Sequence, residues 1–205
     1  MSIADFQRAF ADLIASPSRC LRLRDGADDA FAGYELTALE RLRLGAMARD
    51  EAMSVNCSLY RVNRLIPVYS VLPHSCRLLG DRLMVELEAF WAASRHATLQ
   101  YRWEAWRFGL WLQRRIDAGL LPGGPVEDAI CLEMAIFDTQ AASRDGADAS
   151  ARRRIVRLRH EPEALLDPAL APDELVPSGD EIAVLVDASG PHLAVGRVSR
   201  DGIAA

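Results

Sequence analysis

The stretch that decides the fold is residues 181–198, EIAVLVDASGPHLAVGRV. Two apolar runs, 181–187 and 192–198, flank the short turn sequence ASGP. Strand-forming runs on either side of a glycine- and proline-containing turn are typical of a β-hairpin. A further segment, 154–159, mixes arginine with aliphatic side chains near a period of two, which predicts another strand. The C-terminal part of the chain is therefore predicted to form a small antiparallel sheet.

Upstream of this region, apolar residues recur at helical spacing. In residues 81–94 they fall at i, i+4, i+7 and i+8 (Leu83, Leu87, Phe90 and Trp91), which predicts an amphipathic helix. Residues 19–36 are predicted to be irregular, and a helix near 51–66 is predicted to end before Pro67. By the same reasoning, further helices are predicted at 2–15, from Thr37 onward, at 98–118 and at 126–141.

The predicted fold class is mainly α: an N-terminal helical domain followed by a small C-terminal antiparallel β-sheet, an α+β subdomain. The helical domain is assigned to residues 1–142 and the β-rich subdomain to residues 151–200. The segment between them is rich in alanine, serine, aspartate and glycine, a composition typical of a linker.

Composition limits the classes of function. The chain of 205 residues is 50% hydrophobic, but no apolar run approaches the ~20 residues that a bilayer span needs, so we expect no membrane partner. No secretory signal pattern is visible at the N-terminus, and the four cysteines form no CxxC pair. We therefore expect a soluble, cytoplasmic protein with reduced thiols. The net charge of −5 makes nucleic acid an unfavourable partner.

No self-sufficient catalytic site is visible in the sequence. Nucleotide-binding glycine motifs and a nucleophile elbow are absent, and no histidine is paired at a metal-ligand spacing. His74 and Cys76 lie close together, but two ligands are too few for a metal site. We therefore expect a chain that is not an enzyme, with no catalytic residue, metal or cofactor of its own.

The most informative stretch for function is residues 53–67, MSVNCSLYRVNRLIP. On a helix, its amides and its tyrosine share one stripe, two arginines lie beside that stripe, and four aliphatic residues (Val55, Leu59, Val62 and Ile66) face away from the arginines. Such a polar face is suited to gripping carboxylates or carbonyl groups of a partner. The alternative is a polar face that pins neighbouring helices of the same chain. The candidate enzyme-interface residues are Asn56, Tyr60, Arg61, Asn63 and Arg64.

The strand near residues 153–159 has one basic face and one apolar face. Val156 and Leu158 point to the apolar side. An extended peptide could pair with an open strand edge here, and the arginines would favour an acidic segment. The alternative is that these charges only protect the edge from aggregation. The candidate peptide-binding residues are Arg153, Ile155, Arg157 and Arg159, with Val184 and Val186 from the hairpin.

Several of these segments resemble one family, the partner proteins of multinuclear non-heme iron-dependent oxidative (MNIO) enzymes. The resemblance is carried by Met53–Pro67, by Leu72-Pro73, by Leu78–Leu83 and by the strands Ile155–Leu158 and Ile182–Val186. These partners act beside a barrel-shaped iron enzyme that modifies ribosomally made peptides, often at cysteine, as in methanobactin biosynthesis. Within the family, the pattern is most similar to the partners from the 3-thiaglutamate pathway.

The resemblance implies a non-catalytic subunit with two roles. Its helical domain would dock on the iron enzyme as a heterodimer, and its small sheet would hold the leader of the precursor peptide. The iron would belong to the enzyme. The alternative hypothesis is a nucleic-acid-binding regulatory protein that uses the arginine clusters at 152–154 and at Arg61 and Arg64.

Overall fold

The computed structural model describes residues 3–94 and 101–198. Within them the chain forms nine α-helices, three β-strands and two short 3₁₀ turns, at Asp28–Phe31 and Pro172–Glu174. No helix in this described part is both long and apolar enough to cross a membrane. The helices are α1 (Ile3–Ala15), α2 (Pro17–Arg24), α3 (Ala38–Arg49), α4 (Glu51–Val71), α5 (Pro73–Leu79), α6 (Arg82–Ala93), α7 (Tyr101–Asp117), α8 (Pro125–Arg144) and α9 (Pro162–Leu166), and the strands are β1 (Arg153–Leu158), β2 (Ile182–Asp187) and β3 (Ala194–Arg197).

The predicted fold class is confirmed: the chain is mainly helical and carries a small antiparallel sheet. The strand order is β1-β2-β3, so the predicted hairpin supplies β2 and β3. Val184 of β2 lies opposite Val156 of β1, and Val186 lies opposite Val195 of β3. This register puts Val156, Val184, Val186 and Val195 on the same face, as the period-two pattern requires.

The division of the chain differs from the predicted boundaries at residues 142 and 151. Contacts separate one unit, Met1–Ile66 with Trp91–Ala97, from a second, Pro67–Phe90 with Thr98–Ala205. The sheet belongs to the same unit as α8 because its apolar face packs on that helix. The shared core contains Ala129, Leu132 and Ala135 of α8 together with Leu158, Val184 and Val186 of the strands.

The first unit contains more helix than the sequence predicted. Residues 19–36 were predicted to be irregular, but α2 occupies Pro17–Arg24. The reason is local capping: the Ser16 hydroxyl accepts the Arg19 backbone N–H, and Pro17 fits the first helical turn. The capping box of Thr37 and Glu40 opens α3 as expected. The core of this unit includes Leu13, Leu23, Phe31, Leu44, Met53 and Cys57.

The prediction that a helix ends before Pro67 is wrong. α4 continues through Pro67 to Val71, and the break falls at Leu72, where Pro73 begins α5. A proline inside a helix removes one backbone hydrogen bond and costs ~3 kcal/mol. Here Pro67 and the following Val68 are both buried, so their packing offsets that cost.

A buried polar cluster joins α8 to the end of β1. The Asp128 Oδ2 atom accepts the backbone N–H groups of Arg159 at 2.6 Å and of His160 at 2.8 Å. The same oxygen lies 2.8 Å from the His160 Nδ1 atom. Asp128 and His160 are both buried, so these bonds replace water for groups that have lost it. One carboxylate therefore fixes where the strand leaves the sheet.

We predict that Asp128→Ala lowers the free energy of unfolding by roughly 3 kcal/mol, because it leaves buried N–H donors without their acceptor. Urea unfolding followed by circular dichroism measures the change. Asp145→Ala, at the exposed end of the same helix, is the control and should stay within about 0.5 kcal/mol of wild type. Equal stability of the two variants would show that the cluster does not fix the strand.

Candidate peptide and partner interfaces

α4 has two opposite faces in its first four turns. Met53, Cys57 and Arg64 are buried, half a turn away from Val55 and Leu59, which are exposed. We call the exposed residues the α4 apolar stripe. They lie at the spacing i, i+4, i+7 and i+11, and their exposed fractions fall between 44 and 55%: Val55, Leu59, Val62 and Ile66.

The spacing of the α4 apolar stripe is that of a helix seam. Alternating steps of four and three residues place aliphatic side chains where a partner helix or groove packs against them. Scattered exposed apolar residues are ordinary, but four in one row form a patch of the kind that marks interaction sites. On the sequence alone, these residues face away from the arginines, and no function was assigned to them. Their exposure could have been predicted, because residues 53–67 carry apolar side chains on two opposite faces and only one of these faces can pack in the core.

The five predicted enzyme-interface residues separate into exposed and buried positions. Asn56 and Asn63 are exposed, whereas Tyr60 and Arg61 are half-buried. Arg64 is only 5% exposed. The polar surface that the sequence predicted is therefore reduced to the two asparagines at the margin of the α4 apolar stripe.

Arg64 is held by contacts within its own unit, so its assignment to the enzyme interface is corrected. Its guanidinium donates to the Ser94 carbonyl oxygen at 3.3 Å and lies 5.3 Å from the Trp91 ring centroid and 5.8 Å from that of Tyr60. The Arg61 guanidinium lies 5.7 Å from the same Trp91 ring. Arginine is suited to this position because it stacks on aromatic rings and is weakly hydrated.

In an antiparallel strand, the backbone N–H and C=O of one residue point to the same side of the strand. Two backbone hydrogen bonds show which residues of β1 and β2 point to which side. The Ala188 N–H donates to the Arg152 carbonyl oxygen, and the Val198 N–H donates to the Ala183 carbonyl oxygen, each at 2.9 Å. In an antiparallel ladder the bonded pairs alternate. Arg154, Val156 and Leu158 therefore bond to β2, while the backbone groups of Arg153, Ile155 and Arg157 point away from it.

The outer side of β1 is an open edge. Within the described residues β1 pairs with β2 alone, and the outward N–H of Arg153 is taken up by the Ser150 carbonyl oxygen at 3.3 Å. The N–H and C=O of Ile155 and the N–H of Arg157 remain directed outward. The side chains of these two residues are exposed, as the predicted basic face requires.

The arginines of this face carry carboxylate partners. Arg153 Nε lies 2.8 Å from Asp187 Oδ2, and Arg157 lies 3.4 Å from Glu181. The exposed Arg154, on the other side of the strand, pairs with Asp138 at 3.0 Å. Hydrogen bonds from the Ser189 hydroxyl and backbone N–H, and then Arg153, hold the pKa of Asp187 below its usual range. The arginine cluster is thus largely charge-balanced, which does not favour nucleic acid.

Three of the predicted peptide-binding residues have side chains or backbone groups that are already engaged within the fold. The side chains of Val184 and Val186 are fully buried against α8, and their strand lies between β1 and β3. Both are therefore removed from the candidate peptide surface. Arg159 keeps an exposed side chain, but its backbone is used: the N–H donates to Asp128, and the carbonyl oxygen accepts the Ser178 N–H.

Three of the four thiols have raised pKa values. Burial raises the pKa of Cys76 to about 12, and burial also raises the pKa of Cys57 and of Cys131. The thiolate is the reactive form, so these groups are poorly reactive near neutral pH. Among residues 3–94 and 101–198, no three His, Cys, Asp or Glu side chains are grouped as a metal site.

Comparisons of the chain with family models, with curated protein sequences and with solved structures give no match. The α4 apolar stripe and the β1 edge are therefore the two surfaces of the described residues that bear on function, together with the resemblance in the sequence.

We predict that Arg64→Ala destabilises the fold by roughly 1–3 kcal/mol, because the substitution removes a buried charged hydrogen bond and a stacked cation. Thermal unfolding by circular dichroism measures the loss. The control is Asn63→Ala, an exposed neighbour that should leave stability within about 0.5 kcal/mol of wild type. Wild-type stability in the Arg64 variant would return this arginine to the candidate interface.

Proposed function

We propose that this chain is a non-catalytic, cytoplasmic partner subunit. It binds the leader of a ribosomally made precursor peptide and presents that peptide to an MNIO-type oxidative iron enzyme. The iron and the chemistry, modification at cysteine, belong to the enzyme. The observation that carries the proposal is the open edge of β1, where outward backbone groups coincide with exposed arginines.

The β1 edge supports peptide binding on physical grounds. An added strand gains main-chain hydrogen bonds at Ile155 and Arg157, and these bonds do not depend on the peptide's sequence. Selectivity comes from the side chains that flank the edge. Ile155 is 53% exposed and offers an apolar contact between two guanidinium groups. A peptide with acidic residues two positions before and two positions after an aliphatic residue matches this pattern, because residues i, i+2 and i+4 of an added strand share one face.

The α4 apolar stripe supports docking on the enzyme. Its aliphatic side chains can be desolvated at little cost, and the exposed Asn56 and Asn63 supply a polar margin. The stripe and the β1 edge belong to different compact units of the chain. One surface can therefore hold the enzyme while the other holds the peptide. The pairing of Arg153, Arg154 and Arg157 with carboxylates makes the nucleic-acid alternative the weaker one.

For peptide binding, we predict that Ile155→Pro lowers affinity at least about tenfold, because the added strand loses the outward N–H at the centre of the edge. Bonds between β1 and β2 are kept, since this N–H does not point toward β2. The measurement is fluorescence anisotropy with a labelled peptide that carries Glu-Thr-Val-Thr-Glu, and then with precursor peptides encoded beside the gene.

The matched control is Val195→Pro, which removes an outward N–H on the opposite edge of the same sheet, at β3. Binding that survives Ile155→Pro but is lost in Val195→Pro would move the peptide to β3. Binding that survives both substitutions would place the peptide off the sheet.

For docking, we predict that Leu59→Asp weakens association with the iron enzyme encoded beside the gene by about thirtyfold or more, since a charge would be buried at the centre of the stripe. Folding should be unaffected because Leu59 is exposed. Co-purification and calorimetry measure the effect. Ser54→Asp, exposed on another part of α4, should bind like wild type. Equal binding by both variants would exclude the stripe as the docking surface.

A further inference from the structure

The second unit contains a half-open cavity of about 230 Å³ among α5, α7, α8, α9 and the end of α4. Glu133, Ile136, Phe137 and Gln140 line one wall and fall at i, i+3, i+4 and i+7, so a single face of α8 supplies it. Drug-sized ligands occupy roughly 300–1,000 Å³. This cavity is therefore matched to a group the size of one amino-acid side chain or a small metabolite.

The walls of the cavity are divided between apolar and polar side chains. Ile136, Phe137 and Leu166 form an apolar part, and Arg102, His74 and Gln140 supply hydrogen-bonding groups. The Arg102 guanidinium lies 5.5 Å from the Phe137 ring centroid. Attraction between the cation and the ring holds the guanidinium in the wall, and a guanidinium carries five N–H donors for a ligand oxygen.

The buried acid in the wall is used by the fold. Glu133 is 4% exposed and accepts the backbone N–H groups of His74 at 2.8 Å and Ser75 at 2.9 Å, together with the Ser75 hydroxyl. Burial raises the pKa of Glu133 to about 7, and burial lowers the pKa of His74. The carboxyl group is thus occupied and only partly ionised near neutral pH. Arg102 supplies the cavity's full formal charge.

We propose that this cavity binds a carboxylate on a short aliphatic chain, with the carboxylate on Arg102 and Gln140 and the chain against Ile136, Phe137 and Leu166. Arginine is the side chain best suited to bidentate recognition of a carboxylate. The ligand is either a free short-chain carboxylate or an acidic side chain of a peptide, since both present this chemistry. The site contains no residue of the β1 edge, so this proposal can be tested independently of the proposed function.

The probe is glutarate, titrated into the full-length chain while the methyl resonances of Ile136 and Leu166 are followed by NMR. We expect saturable binding with a Kd of about 1 mM or below, and no binding of glutaramide, the uncharged analogue. Arg102→Gln should weaken glutarate binding at least about tenfold. Arg114→Gln, exposed on the same helix, should bind like wild type.

A second arm identifies the source of the carboxylate. An acetylated and amidated Ala-Glu-Ala peptide that binds as well as glutarate assigns the cavity to a peptide side chain, and binding of glutarate alone assigns it to a free metabolite. Ile155→Pro should bind glutarate like wild type, which separates this site from the peptide edge. The proposal is overturned if glutarate does not saturate, if glutaramide binds equally, or if Arg102→Gln binds like wild type.

Discussion

The packing of the sheet against α8 is the constraint on which the second unit depends. β1 and β2 bury Leu158, Val184 and Val186 on that helix, because the apolar face of a sheet must pack against a second layer. Asp128 adds a fixed point by accepting N–H groups where β1 ends. The face of α8 that packs on the sheet is consequently apolar, and another face of the same helix lines the cavity. One helix thus determines both the strand geometry and the position of Glu133 and Phe137.

Because one face of the sheet is committed to α8, only its outer face and its edges are left for recognition. The hydrogen-bond alternation then decides which residues of β1 take part. Ile155 and Arg157 have exposed side chains, and they also direct backbone groups outward. The side chains of Val156 and Leu158 face α8, and their backbone groups bond to β2. Strand geometry couples these two properties, so the basic pattern read from the sequence and the free hydrogen-bonding groups fall on the same residues.

The sequence predicted the fold class and the three strands because period-two and helical patterns are local. It failed where the answer depended on tertiary burial. Pro67 is tolerated within α4 because it packs in the interior. On the same helix, the pattern could not tell which apolar face is core, so the exposure of Leu59 was missed. Arg64 was assigned to a partner because nothing local indicated that Trp91 and Ser94 would meet it.

The ion pairs on the β1 face determine what the arginines can contribute to peptide binding. Arg153 and Arg157 already face carboxylates, so an acidic peptide exchanges one carboxylate for another, and exposed exchanges of this kind change affinity little. Asp187 also remains satisfied after such an exchange, because its other oxygen accepts the Ser189 N–H and hydroxyl. Release of Arg153 therefore leaves Asp187 hydrogen-bonded through Oδ1, and only Oδ2 loses its partner. A peptide added at this edge would therefore gain affinity mainly from backbone pairing and from the Ile155 contact, and the arginines would disfavour basic peptides.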